Sequence, residues 1–575
     1  MLDQRDLLLD QYQLLCQDWR REAKDVADVA AKKAYFRQHP AFIRCREILN
    51  KADYTVQSIL VENMKRLDHL SIHFNPRLTV LIGENATGKT TVCESLTKAF
   101  SWILSAIKQE DFAGADIDLD EIKHGKLAGK ITIDLLLDAH NHIPFSLVRS
   151  LQEGAHAIPS NFDDLRAYAT VIRDILSIDS TSVTLPLFIF YGVNRPNFMR
   201  SAREIYLHRA SAYDHALEDK VRVSDMIEWF IMLDNLSQQD KSSEVRDLQI
   251  FQATLQETIA GFKVKQQQAD FLQNSLLSEM ITELEEKIAE AQEKIDAIKA
   301  RPFTTAEKLK ALVNETVQIL IPNASAILVD RSSGKARVVL DIFGEKHDIQ
   351  YLSHGQRSVL FMVADLLSRL EILNPHLEDP RQSPGIVIID EIELHLHPTW
   401  QQTIIDSLLK IFPNIQFIIT THSPQVISSV HKDQIRFLKN DFETHEVKVH
   451  SPTFQTRGLS SDNILLRILN IADAPDTPEF QKYQQLEKLI ENNLGDSEEA
   501  QKLYQLLEKH FGAESLEMEK LQSLKRLQAM RQRILARQGQ LKSANSAKKE
   551  IDKKEIDSMD KENRTKSKEQ QGNKE

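Results

Sequence analysis

The 575-residue chain has only three cysteines, Cys16, Cys45 and Cys93, with no CxxC pair and no clustered spacing. That scarcity excludes a disulfide framework and a cysteine-based zinc site, and it predicts a reducing, cytoplasmic setting. No apolar run approaches the roughly 20 residues that span a bilayer, and the opening "MLDQRDLLLD" is charged within its first few positions. A soluble protein with no membrane partner is expected. Positive charge is also short, since 72 Lys and Arg stand against 84 Asp and Glu for a net charge of −12. A surface that coats nucleic acid indiscriminately is thereby excluded, and any nucleic-acid contact must be local. The chain is too long for one compact core, so it holds two or more domains or one large domain with insertions.

What is present begins with "LIGENATGKTT", residues 81–91, which fits GxxxxGK[ST] as Gly83, Gly88, Lys89 and Thr90. The apolar run "LTVLI" precedes it and the amphipathic "TTVCESLTKAFSWIL" follows, giving the strand, loop and helix that the motif requires. Gly83, Glu84, Asn85, Ala86, Thr87, Gly88, Lys89, Thr90 and Thr91 are therefore expected to hold ATP. The glycines let successive N–H groups face the phosphates, Lys89 reaches the β- and γ-phosphates, and the Thr90 hydroxyl takes a place on Mg²⁺. The helix that follows adds the positive end of its dipole. Ala86 stands where glycine is common in such loops, and a Cβ at a left-handed position would cost roughly 1–2 kcal/mol.

Two later apolar runs end in chemistry-bearing residues. "GIVIIDEIELHLHP", residues 385–398, delivers Asp390 and Glu391 to the end of a strand. Asp390 can order Mg²⁺ through water, and Glu391 can orient or deprotonate the attacking water. Glu393, His395 and His397 could suggest a metal site, although "ELHLHP" after such a strand more often forms a subunit contact. "FIITTHSPQVI" ends at His422, which can donate a hydrogen bond to the γ-phosphate. In "YLSHGQRSVLFMVADLLSRL", Leu352, Ser353, His354, Gly355 and Gln356 open a helix. Ser353 caps it, and its hydroxyl, the Gly355 N–H and the helix dipole form a second anion site.

The rest of the chain divides by pattern. Residues 1–51 read as a helical leader broken at Pro40, and residues 52–214 as an ATPase lobe with strands at "YTVQSILVENMKRLDHLSIHF", "KITIDLLLD", "IPFSLVRSL" and "LPLFIFYG". Residues 215–320 form a helical insertion, in which Ile281, Leu284, Ile288, Ala291, Ile295 and Ile298 follow a 3, 4, 3, 4, 3 spacing. The stripe lasts under three heptads, which favours a helical hairpin over a long coiled coil. Residues 321–445 return to a second ATPase lobe that opens on a hairpin turning at "SSGK". Residues 446–542 read as helical, with a basic polar face on "MEKLQSLKRLQAMRQRILARQGQLK", and residues 543–575 as a disordered tail.

The order phosphate loop, LSxGQ, DE strand and histidine resembles the ABC-type ATPases, an α/β class of P-loop protein. That resemblance implies a head-to-tail sandwich dimer in which Ser353, Gly355 and Gln356 of one copy close on ATP and Mg²⁺ held by Lys89, Thr90 and Asp390 of the other, with Glu391 and His422 catalytic. His354 replaces a usual glycine. The usual glutamine is not found, and "FYGVNRP", with Asn194 and Arg195, lies where it would be replaced. "GENATGKTT", "DEIELHLHP" and "THSPQVI" further resemble the subgroup holding RecF-like repair proteins, OLD nucleases and the PtuA ATPases of Septu and retron-linked anti-phage systems. The helical leader, the modest insertion and the absence of a Toprim or other nuclease pattern favour PtuA. Resemblance to PtuA implies a multi-subunit assembly that restrains or licenses a separate HNH nuclease, PtuB. Retron-linked versions also hold a reverse transcriptase and its RNA–DNA product. Two other readings stay open: a RecF- or SMC-like DNA-repair ATPase that works directly on DNA, and an enzyme with a nuclease activity of its own.

Overall fold

The computed structural model describes residues 7–22, 29–151, 158–193, 209–218, 223–266, 271–300, 305–321, 323–332, 334–441, 446–468, 477–515 and 517–534. Three helices, α1 (Leu8–Glu22), α2 (Val29–Arg37) and α3 (Pro40–Lys51), precede strands β1 (Thr55–Met64) and β2 (Leu67–His73). Strand β3 (Leu78–Gly83) and helix α4 (Lys89–Lys108) flank the phosphate loop, followed by β4 (Ala128–Leu136), β5 (His142–Ser150), α5 (Asp163–Ile178) and β6 (Leu187–Tyr191). The insertion comprises α6 (Val223–Gln266), α7 (Phe271–Ala300) and α8 (Thr305–Leu320), and β7 (Ala324–Asp330), β8 (Arg337–Ile342) and β9 (Glu345–Asp348) come next. Then come α9 (His354–Leu373), β10 (Gly385–Ile389), α10 (Pro398–Gln401), α11 (Ile404–Ile411), β11 (Ile415–Thr420), α12 (Pro424–Ser428), β12 (Ile435–Asn440), β13 (Val447–His450) and α13 (Ser461–Arg467). Helices α14 (Pro478–Glu491) and α15 (Glu498–Phe511) and a helical stretch at 517–534 follow.

The chain divides into two compact units, Met1–Asn470 and Ile471–Glu575. In the first, a six-stranded sheet in the order β13-β12-β3-β11-β10-β6 forms the centre. Its strands are parallel except β13, which pairs antiparallel to β12 through Phe437↔His450 and Asn440↔Val447. Strands β3, β6, β10 and β11 are buried at every position. That is why they read as unbroken apolar runs, because helices cover both faces of such a sheet. A second, antiparallel sheet in the order β2-β1-β4-β5 shows the alternating burial of a sheet with one wet face, clearest in β4. Strand β13 lies inside the stretch read above as helical, because a four-residue strand paired far along the chain has no pattern of its own.

A buried amide helps tie the two sheets together. Gln416 of β11, 1% exposed, accepts from the Val56 N–H at 2.8 Å and donates to Val56 O and Asn75 O, both at 3.0 Å. Gln416→Leu is expected to cost about 3 kcal/mol, since the freed backbone groups stay buried without partners. A lowered thermal denaturation midpoint would show it, and an unchanged one would mean that the Gln416 amide adds nothing to the hold between the sheets.

In the insertion, α6 and α7 form the helical hairpin expected from the short stripe. Ile281, Ala291 and Ile295 are buried in it, and Gln252 Nε2 reaches Ile288 O at 3.2 Å while Lys263 pairs with Glu285 at 3.0 Å. At its root, the Asp234 carboxylate of α6 binds Lys310 of α8 at 2.5 Å and Arg331, after β7, at 2.6 Å. Burial alone would raise the pKa of Asp234, but the two cations outweigh it and hold the group below the usual carboxylate range.

The second unit has a small core of its own, Leu486, Ile490, Ala500, Leu507, Met518 and Leu521. Met518 and Leu521 of the basic helix are buried there, while Leu527 and Met530 are exposed. The expected tail at 543–575 lies outside the described residues. Among the described residues, no helix is long and apolar enough to cross a membrane.

Candidate active site

Three neighbouring parallel strands bring their carboxyl ends to one cleft, the place where such sheets bind ligands. Strand β3 runs into the phosphate loop, β10 ends just before Asp390 and Glu391, and β11 ends two residues before His422. Asn85, Ala86, Gly88, Lys89, Thr90, Thr91, Asp390, Glu391, Thr420 and His422 line the cleft, with Lys65 and Arg66 at its rim. These residues are far apart in sequence and become neighbours because β11 pairs with β10 through Ile389↔Ile419 and with β3 through Thr420↔Leu81.

The loop needs its glycines for different reasons. A Cβ on Gly83 would lie 2.4 Å from Leu438 O, while Gly88 has φ +96° and caps α4. Ala86 does adopt the left-handed conformation, φ +61°, that its sequence position implied. Thr87 closes the curl by donating its hydroxyl to Glu84 O at 2.9 Å. Lys89, 7% exposed, donates to Gly83 O at 2.9 Å and Glu84 O at 2.8 Å, so its ammonium is held inside the loop. Burial lowers the Lys89 pKa, and Asp390, Glu391 and Glu393 pull against that effect.

One hydroxyl ties the Asp390 carboxylate to the Glu391 backbone. Thr420 donates to Asp390 Oδ1 at 2.5 Å and accepts from the Glu391 N–H at 2.8 Å. Asp390 is 2% exposed, and its other oxygen accepts from the Thr90 hydroxyl at 3.3 Å. A hydroxyl and a carboxylate converging beside the phosphate loop are hard oxygen donors of the kind Mg²⁺ takes, with most of its remaining positions left to phosphate and water. Bound there, Mg²⁺ would neutralise charge on the β- and γ-phosphate oxygens. Glu391 stands next along with φ +49°, turned away from the strand direction by its left-handed backbone.

His422 shares this cleft. Its backbone N–H donates to Glu393 Oε1 at 2.6 Å. Burial and the nearby Lys89 charge lower its pKa, against the pull of Glu393, Glu391 and Asp390. The imidazole is therefore favoured in its neutral form, with one ring N–H to donate. Glu393 thus orients the histidine segment. His397 caps α10 and His395 sits at φ +64°, and among the described residues no three His, Cys, Asp or Glu side chains gather as a metal-ligand set.

The LSxGQ stretch is built elsewhere. Ser353 Oγ accepts from the Gln356 N–H at 3.3 Å, and Gln356 Oε1 accepts from the Ser353 N–H at 3.1 Å, a capping box at the start of α9. A Cβ on Gly355 would stand 2.3 Å from His395 O, so glycine is what lets α9 seat against the loop that follows Glu391. Ser353, Gly355 and Gln356 are not among the residues lining the Lys89 cleft.

The sequence pattern of the AAA ATPase domain family matches residues 55–427. The chain belongs to that family. Its activity is ATP hydrolysis on an ABC-type core. The Retron Vc95 probable ATPase of Vibrio cholerae serotype O1 biovar El Tor is 25% identical over 440 residues, 74% of this chain and 81% of that protein. The Retron Ec83 probable ATPase of Escherichia coli is 27% identical over 476 residues, 80% and 84% of the two chains. The Septu protein PtuA of Bacillus mycoides (strain KBAB4) is 26% identical over 187 residues, 32% of this chain and 26% of its own length.

In this ATPase, the sequence reading missed three cleft residues. Thr420 ends an apolar strand, which was a usable signal because its hydroxyl faces the end of the neighbouring strand. Lys65 and Arg66 sit in the turn between β1 and β2, where nothing local marks them. Asn194 and Arg195, read as a replacement for the missing glutamine, lie outside the described residues.

Proposed function

We propose that this ATPase is a nucleotide-driven switch of a bacterial anti-phage defence system, working in the cytoplasm and controlling a separate HNH nuclease. A retron reverse transcriptase and its RNA–DNA product are the further partners of this reading. Relatives named as retron ATPases, aligned over most of both chains, support it, as does the shorter match to a Septu PtuA. Within the site, Lys89 and the phosphate loop hold ATP, Thr90 and Asp390 hold Mg²⁺, Glu391 activates water and His422 senses the γ-phosphate.

The observation that carries the switch is that the capped start of α9 stands apart from the Lys89 cleft on the same chain. Ser353 opens a 20-residue helix with its cap formed, yet it does not line the Lys89 cleft. A head-to-tail pair of copies gives that helix a phosphate to close on. ATP then acts as the joint between subunits, and hydrolysis opens it.

Plasmid nicking in Mg²⁺ or Mn²⁺ tests the division of labour. The purified chain alone is expected to leave supercoiled plasmid intact, and cleavage is expected to appear when an HNH nuclease encoded beside it is added, in a nucleotide-dependent way. Cleavage by the single chain, abolished by no change at the ATP site, would overturn this reading in favour of a nuclease of its own.

A further inference from the structure

Loops that bind phosphate by backbone N–H groups depend on holding an unfavourable backbone path before the ligand arrives. Here the path passes through Ala86, whose φ of +61° is a region that alanine disfavours. The turn between β1 and β2 reaches across to this point. Arg66 donates one guanidinium nitrogen to Ala86 O and the other to Asn440 Oδ1 at 2.9 Å. Asn440 is the last residue of β12, whose Leu438 pairs with Gly83 at the start of the loop. Leu67, the first residue of β2, places its side chain 3.0 Å from where a Cβ on Gly88 would stand. Lys65, just before Arg66, pairs with Glu94 on α4. Three consecutive residues, two in the turn and the first of β2, thus reach the middle of the loop, its last glycine and the helix beyond it.

We propose that Arg66 is a positioning residue of the phosphate loop: anchored on Asn440, it holds the Ala86 carbonyl and so keeps the loop in its binding conformation. Glycine at this position would need no such brace, which makes Arg66 and Ala86 a compensating pair. The inference rests on the reading of the cleft as the ATP site, and it concerns affinity rather than the chemical step. A guanidinium suits the task because its planar fork reaches two acceptors at once, whereas an ammonium is a point charge.

The test is a double-mutant cycle read by calorimetric titration of the folded full-length chain with a slowly hydrolysed ATP analogue and Mg²⁺. Arg66→Ala is expected to weaken binding roughly tenfold, and Arg66→Lys to recover part of that loss. In an Ala86→Gly background the same Arg66→Ala change is expected to weaken binding about twofold or less. Asn440→Ala, which removes the anchor and leaves the guanidinium, is expected to fall between, and it carries the test if Arg66→Ala does not fold. Equal losses in both backgrounds would mean that Arg66 contacts the nucleotide directly and would overturn the brace, as would no loss at all. Lys89→Ala in the same titration separates the two levels: if it retains affinity the site reading itself is wrong, whereas if it loses affinity while the cycle is additive only the brace is wrong.

Discussion

Lys89→Ala is expected to abolish ATP binding, weakening it by about a hundredfold or more, because removing one partner of a desolvated charge pair costs roughly 3–5 kcal/mol. Lys89 is 7% exposed and its ammonium is held by the carbonyls of Gly83 and Glu84, so little water remains to compensate the β- and γ-phosphates once it is gone. Lys89→Arg is not expected to rescue binding, since a planar guanidinium does not fit a curl shaped around a point charge. The fold should survive either change, because the side chain contributes only loop contacts, and a preserved melting profile would confirm that. Equilibrium titration with ATP and Mg²⁺ measures the effect. Near-normal affinity in Lys89→Ala would remove the phosphate loop from the binding site.

Much of this site could be read along the chain because its parts are local. The phosphate loop, the acidic pair after "GIVII" and the Ser353 cap are each set by residues within a few positions of one another, and each follows an apolar run or opens a helix. What escaped is held by contacts between distant residues. Thr420 and Asp390 meet only because β11 lies beside β10, and Gln416 finds Val56 only because two sheets stack. Ala86 was visible in sequence as a strained position, but nothing local marks Arg66 as the residue that reaches it. Strand β13 is legible only through β12, the strand that pairs with it. The resemblance to defence ATPases was carried by motifs and by the order of segments, so it named a family but could not show how α9 seats against His395 O.

Glu391→Gln separates binding from turnover. The amide keeps the size of the side chain and leaves the Thr420 bridge to its backbone and to Asp390 intact, but it removes the carboxylate that accepts a proton from water. ATP is therefore expected to persist and to hold two copies closed, with hydrolysis reduced by roughly 10²–10⁴-fold, the usual weight of a general base. Light scattering or cross-linking with and without ATP reads the closure. Composite sites make a stronger demand. Lys89→Ala chains and Ser353→Arg chains should each be inactive alone, the first for want of the phosphate cation and the second because bulk and charge block the approach of α9. In a head-to-tail pair formed from one of each, one site carries both defects and the other carries neither. If pairs exchange at random, half are mixed and each mixed pair has one good site of two, so about a quarter of normal activity should return. Strict coupling between the sites would suppress that recovery while leaving the ATP-dependent closure of Glu391→Gln. A mixture that stays inactive, together with a Glu391→Gln chain that binds ATP and remains open, would leave Ser353 without a phosphate to close on and would end the sandwich arrangement.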